Sequence, residues 1–218
     1  VELGSWQILL QGGMHPALRL GFYTDMLSAL RRQFPSVAVH GFSPPEIHHF
    51  AEISGLSVRA VLERLMAAGL DSIPGGGAEI LSNRVRRELA PRKCDADQWI
   101  AVMKEAHGLG LRTTATMMFG HVETAAERVE HLQRVRDLQD RTGGFTAFIP
   151  WPFQPDYTPL AAARHIDKTT AVTYLRTLAL SRIFLDNVTN VQVSWVTQGP
   201  KIAQVSLFFG ANDFGSTM

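Results

Sequence analysis

Short apolar runs closed by glycine or polar loops alternate with amphipathic helical stretches along the whole chain, and this alternation restricts the fold more than any other feature. Trp6 to Gln11 is an apolar run closed by Gly12-Gly13, and residues 22–34 then place Met26, Leu27, Leu30 and Phe34 at helical spacing. Val37 to Phe42 predicts a second strand, and Ser43-Pro44-Pro45-Glu46 opens a helix with prolines in its first turn. Ser57 caps a further helix carrying Val58, Val61, Leu62 and Leu65, which ends near Gly69. Leu70 to Ile73 predicts the third strand, Arg112 to Phe119 the fourth and Phe145 to Trp151 the fifth. Helices are predicted over 124–142 and 168–187. Val191, Val193 and Trp195 alternate with Gln192 and Ser194, which predicts a sixth strand over 191–196. A helix over 200–209 and a short seventh strand over 210–214 complete the series.

Strands of this kind, apolar throughout and separated by helices, predict a parallel sheet covered by helices. Seven units in unbroken series point to a (β/α)8 barrel of TIM type, whose usual length is about 250 residues. With 218 residues supplying seven units and Val rather than Met at position 1, the expectation is a single partial domain, 1–218, lacking its first βα unit, which would precede Val1. An open doubly wound sheet is the alternative.

Composition narrows function by exclusion. With 21 Lys+Arg against 20 Asp+Glu, no clustered basic excess argues for nucleic acid or a membrane surface. Hydrophobic residues make up 45% of the chain, enough for a sizeable core, yet no run reaches the roughly 18 apolar residues of a membrane span. A soluble cytoplasmic protein is the expectation. The single cysteine, Cys94, rules out an internal disulfide or a multi-thiolate metal site built from this chain alone. It lies between Pro91-Arg92-Lys93 and Asp95, whose cations could lower its pKa, but with no partner to activate it Cys94 reads as a spectator.

In a βα barrel the chemistry sits where strands run into the following loops. Those loops are Gln11-Gly12-Gly13-Met14-His15-Pro16, Ser43 to Glu46, Pro74-Gly75-Gly76-Gly77-Ala78-Glu79, Gly120-His121-Val122-Glu123-Thr124, Gln154-Pro155-Asp156, Thr197-Gln198-Gly199 and Asn212-Asp213. The triple glycine lets backbone approach a ligand or simply serves a turn. His15 and His121 suit acid-base or metal-ligand roles, or hydrogen bonding in a loop. His48, His49 and His131 fall within helices and read as structural. Glu79 and Glu123 stand at helix starts, where the dipole alone favours a carboxylate by about 0.3–1 kcal/mol. Met117, Met118 and Phe119 read as core or pocket wall.

The strings LQGGMHP (10–16), HGFSPPEI (40–47), GLDSIPGGGAEIL (69–81), RTTATMMFGHVET (112–124), LQDRTGGFTAFIPWPFQP (138–155), SWVTQGPKIAQ (194–204) and GANDFGSTM (210–218) resemble, over essentially the whole chain, the radical SAM enzymes of the futalosine route to menaquinone. The sister aminofutalosine synthases share the GGGAEI and TGGF segments. Ser43 to Glu46, Met117 to Phe119, Trp151 to Phe153 and Trp195 to Gln198 resemble the forms found in the cyclic dehypoxanthinylfutalosine synthases.

This resemblance implies a radical SAM barrel in which a [4Fe-4S] cluster, held by a C-x-x-x-C-x-x-C loop, reductively cleaves S-adenosylmethionine (SAM). The 5′-deoxyadenosyl radical then takes hydrogen from the ribose of dehypoxanthine futalosine, and the carbon radical closes onto the benzoate ring. It implies a nucleoside substrate and an electron donor such as a flavodoxin or ferredoxin. Gln11, Gly12 and Gly13 match the second-strand motif that holds the methionyl amine, with Met14 where many superfamily members have Glu. Thr116, Met118, Gly120 and Glu123 fall on the spacing of the adenine motif G-x-I-x-G-x-x-E, in part. Glu46, Glu79, His121 and Asp213 are candidates for substrate hydroxyl contacts or the final base, with Glu79, His121 and Asp213 preferred for catalysis. Trp151, Phe153, Gln154 and Asn212 are candidates for the substrate pocket. The cysteine loop is not in these 218 residues, so its ligands are expected upstream of Val1 and this chain is expected to be inactive alone. Rival readings are a metal-dependent barrel hydrolase or lyase using His15, His121, Glu79 and Asp213, and a cluster-less module binding SAM or a nucleoside.

Overall fold

The computed structural model describes residues 4–215. Six parallel strands form one sheet in sequence order: β1 (Gln7–Leu10), β2 (Ala38–Gly41), β3 (Ser72–Ile73), β4 (Arg112–Phe119), β5 (Phe145–Pro152) and β6 (Asn190–Val191). Around them run α1 (Leu20–Gln33), α2 (Pro44–Ser54), α3 (Val58–Ala68), α4 (Asn83–Leu89), α5 (Ala96–Gly108), α6 (Ala125–Thr142), α7 (Pro159–Arg164), α8 (Ala171–Phe184), α9 (Trp195–Gln198) and α10 (Pro200–Ser206), the last running into a 3₁₀ turn over Leu207–Phe209. Each strand pairs with its neighbours in sequence, without the reversal of order that defines a doubly wound sheet.

Two strand expectations are corrected. The predicted sixth strand, 191–196, stops after Val191. Val193 keeps its inward place, but the Ser194 N–H is taken by the Tyr174 hydroxyl at 2.8 Å, and Trp195 opens α9. The predicted seventh strand, 210–214, is reduced to one bridge between Gln192 and Asp213. Among the described residues six strands therefore stand where seven were expected, and Ser216 to Met218 of the last string lie outside the described residues.

The helices follow from local chemistry. Ser57, Asp95, Thr124, Thr158 and Thr170 cap their helices by accepting a backbone N–H three residues on, and Gly55, Gly69 and Gly143 terminate α2, α3 and α6 in left-handed geometry. One apolar core lies between helices and sheet, with Trp99, Phe50, Phe119, Phe148 and Tyr174 fully buried. Three histidines are built into this framework. His40 Nδ1 meets Ser72 Oγ at 2.7 Å, His107 spans Thr142 and Thr113 at 2.7 Å each, and His131 Nδ1 accepts the Leu81 N–H at 3.0 Å. Burial pulls their pKa values down to about 4, 4 and 3.

Candidate functional site

At the carboxyl ends of the strands lies a cleft of about 400 Å³, lined by Gln11, Gly12, Gly13 and Met14 after β1, Ser43, Pro45 and Glu46 after β2, Gly76, Gly77 and Glu79 after β3, Lys93, Met118 on β4 and Trp151 on β5. Parallel strands deliver their carboxyl ends to one side, so residues far apart in sequence meet here.

The β1 wall is held by Glu46. Only 4% exposed, its carboxylate accepts the Ser43 N–H and hydroxyl at 2.8 and 2.6 Å through one oxygen and the Gly12 N–H at 3.0 Å through the other. The anion thus caps its own helix and fixes the Gly12-Gly13 loop across the sheet.

The triple-glycine loop is held from below. A side chain at Gly75 would come within 2.5 Å of the Thr114 carbonyl and 2.7 Å of the Ala115 Cα, so only glycine lies this close to β4. Thr114 Oγ1 accepts the Gly75 N–H at 2.9 Å, and the Thr116 hydroxyl donates to the Gly75 carbonyl at 2.6 Å. Arg86, 3% exposed, donates to the Gly77 and Ala78 carbonyls at 2.9 and 2.6 Å and to the Cys94 carbonyl from Nε at 2.9 Å. One buried guanidinium therefore ties the loop to the segment bearing Lys93. Lys93 Nζ in turn donates to Glu79 Oε1 at 2.7 Å, and Glu79 sits in the left-handed region at φ 47°, with its carbonyl accepting the Met118 N–H at 2.9 Å.

The β4 loop is organised by Glu123. Its carboxylate accepts the Gly120 and His121 N–H groups at 2.7 and 2.8 Å and the Arg128 Nε at 2.7 Å. Burial alone would raise its pKa, but the contact with His121 and the two amides pull it down to about 2. The His121 side chain is fully buried, with Nε2 2.9 Å from the Met118 carbonyl and Nδ1 2.9 Å from Glu123 Oε2. The Phe153 ring stands edge-on to that imidazole at 6.0 Å, and Gln154 Nε2 donates to the Pro152 carbonyl at 3.0 Å.

Of the residues singled out in the sequence, Gln11, Gly12, Gly13, Glu46, Glu79, Met118 and Trp151 meet at the cleft. Thr116, Gly120, His121 and Glu123 build the loops beneath or beside it. Asn212 spends its amide on the Val191 N–H and the Thr189 carbonyl, Asp213 accepts the Gly215 N–H, and neither lines the cleft. Arg86 and Lys93 act here without having been singled out, because each works across a loop closure that no local pattern encodes. Cys94 is buried beside Arg86, and burial outweighs the neighbouring cations, pushing its thiol up to about 11. Among the described residues no three of His, Cys, Asp and Glu come together as a metal site, so His15, Glu79, His121 and Asp213 form no such group.

The family model of the radical SAM superfamily matches residues 1–135, and that of the CofH/MqnC C-terminal region matches residues 142–218. The chain is 46% identical over its whole length to a cyclic dehypoxanthine futalosine synthase of Streptomyces coelicolor and 48% identical to one of Halalkalibacterium halodurans, covering 54% and 58% of those proteins. It is 46% identical over 99% of its length to an aminodeoxyfutalosine synthase of Thermus thermophilus, covering 58% of it. The chain thus spans little more than half the length of these relatives. Its fold is similar to those of methylornithine synthase (TM-score 0.70, 13% identity, covering 95% of this chain and 56% of that one) and of HydG, a maturase of the [FeFe]-hydrogenase (0.68, 13%, 97% and 45%).

Proposed function

Because the chain belongs to the radical SAM superfamily, whose enzymes use SAM and a [4Fe-4S] cluster, we propose that its cleft binds SAM beside a futalosine-type nucleoside in a cyclase acting on dehypoxanthine futalosine. The six-stranded sheet is read in the same way as an arc of a (β/α)8 barrel.

The observation that carries this reading is the make-up of the cleft. Gly13 has open space where a side chain would stand, so a ligand can lie against its backbone, while Gly76 and Gly77 are packed against Gln11 and Pro45 and bring those side chains to the cleft wall. Glu46 and Glu79 set two carboxylates against the one ammonium of Lys93. That excess of one negative charge suits SAM, which carries a sulfonium, an ammonium and a carboxylate. SAM held here would supply a 5′-deoxyadenosyl radical for hydrogen abstraction from a ribose only where a reduced [4Fe-4S] cluster gives it one electron. The chain's own residues bind and orient. Glu46 fixes the Gly12-Gly13 loop, Arg86 and Thr116 fix the triple-glycine loop, and Glu123 fixes the loop after β4. Met118 and Trp151, from the segments of cyclase form, line the wall where an aromatic ring would rest and exclude water from it. The cluster does not fit this chain, since its single cysteine is buried with a raised pKa and engaged by Arg86. An electron donor such as a flavodoxin or ferredoxin belongs to the same proposal.

Calorimetry tests it. SAM should bind the chain one to one, and Trp151→Ala should weaken binding of dehypoxanthine futalosine while sparing SAM. Preference for the aminodeoxyfutalosine synthase substrate would favour the sister activity, and absence of SAM binding would overturn the reading. Reconstitution with iron and sulfide should give no stoichiometric [4Fe-4S] signal by EPR.

A further inference from the structure

Lys93 is the one cationic side chain among the residues lining the cleft, and it is placed with some care. Its backbone lies in the loop between α4 and α5, where its N–H donates to the Ala90 carbonyl at 2.9 Å and the adjoining Cys94 carbonyl is gripped by Arg86. Its ammonium meets Glu79, which is itself pinned in left-handed geometry by the Met118 N–H. Both ends of the pair are therefore anchored through backbone, and the ammonium is aimed from a fixed base. One of its three N–H donors goes to Glu79; among the described residues the other two find no protein acceptor, and the Lys93 side chain keeps 38% of its surface open.

We propose that Lys93 is the receptor for a carboxylate of the ligand bound in the cleft, with Glu79 as the positioning residue that holds the ammonium in place. An ammonium shared between a buried-side carboxylate and an open side accepts a second carboxylate without breaking the first contact, because its donors point in different directions. This rests on the reading of the cleft as a SAM and nucleoside site, where a carboxylate comes from one of two sources: the amino-acid end of SAM, or the acid group on the aromatic ring of the nucleoside.

Calorimetry on the wild-type chain, Lys93→Met, Lys93→Arg and Glu79→Gln with four ligands separates these outcomes. The ligands are SAM, decarboxylated SAM, dehypoxanthine futalosine and its carboxamide. Lys93→Met should weaken one of the two acids by about 10- to 100-fold while its carboxylate-free analogue binds both proteins equally, and Lys93→Arg should restore part of the loss. Glu79→Gln should weaken the same acid, and which acid is affected names the source. Equal weakening of an acid and its analogue, or no effect on either acid, overturns the inference; unchanged melting temperatures of the variants show that folding is not the cause. Binding of SAM and of dehypoxanthine futalosine that both ignore Lys93 sinks the inference alone, whereas a wild-type chain that binds none of the four sinks the reading of the cleft with it.

Discussion

Glu46 and Gly12, 34 residues apart, are joined by a 3.0 Å hydrogen bond from the glycine N–H to a carboxylate oxygen whose twin is already committed to Ser43. A loop with no side chain of its own to anchor it is thereby positioned by an anion on the next βα unit.

Glu46→Gln keeps the shape but replaces one acceptor oxygen by a donor, which then faces the Ser43 or Gly12 N–H. The lost charged hydrogen bond corresponds to about 1.5–3 kcal/mol. SAM affinity measured by calorimetry should fall about tenfold or more, with a smaller fall in the urea midpoint. Unaltered affinity would show that the Gly12-Gly13 loop does not need the tie.

Arg86→Met should be the most damaging single change near the cleft. It removes a buried guanidinium that satisfies the carbonyls of Gly77, Ala78 and Cys94, leaving them without donors, for a cost of about 3–5 kcal/mol. Equilibrium urea denaturation measures this, and a loss under 1 kcal/mol would contradict the role.

Two glycines separate close approach from mere flexibility. Gly75→Ala forces a methyl to within 2.5 Å of the Thr114 carbonyl and should cost about 2 kcal/mol or more, with displacement of the loop from β4. Gly21→Ala lies in α1 with open space around it and ordinary φ, so it should be neutral or stabilise by about 0.5–1 kcal/mol. Thermal melts of the pair read both signs.

Acid should weaken the fold well before its carboxylates titrate. The pKa values of His40, His107 and His131 lie below the unfolded value of about 6.5, so between that pH and about 4 the unfolded chain takes up protons that the folded chain refuses. Stability is full above pH 6.5 and falls below it, by at most about 1.4 kcal/mol per pH unit for each histidine, and by less for His40 and His107, which keep some contact with water. Urea midpoints at pH 7 and 5 test this; equal values would mean that the three rings are protonated in the folded state too.

The frame was legible where local signals are strong. Apolar runs marked β1, β2, β4 and β5, and Ser57, Thr124, Gly69 and Gly143 marked helix ends by chemistry that acts within four residues. The end of the chain was less so: the Val191, Val193, Trp195 alternation mimics a strand, but a tyrosine hydroxyl from α8 takes the Ser194 amide and a helix begins instead. Asn212 and Asp213 were placed at the cleft on the strength of a seventh strand that is a single bridge. Lys93 and Arg86 escaped because their partners lie across loops whose closure depends on the finished fold.

The strands are unequal supports. β4 and β5 run eight residues each and register at seven positions, whereas β2 and β3 share one and β5 and β6 two. The wall bearing Met118 and Trp151 thus stands on the most extensively paired part of the sheet, while the Gly12-Gly13 segment, beyond the four positions at which β1 and β2 register, is tied across to α2 by the Glu46 carboxylate. In a lineage built on this frame, new ligand preferences can be written on the β4–β5 wall by exchanging side chains, and innovation on the opposite wall is confined to changes that leave Glu46 in place.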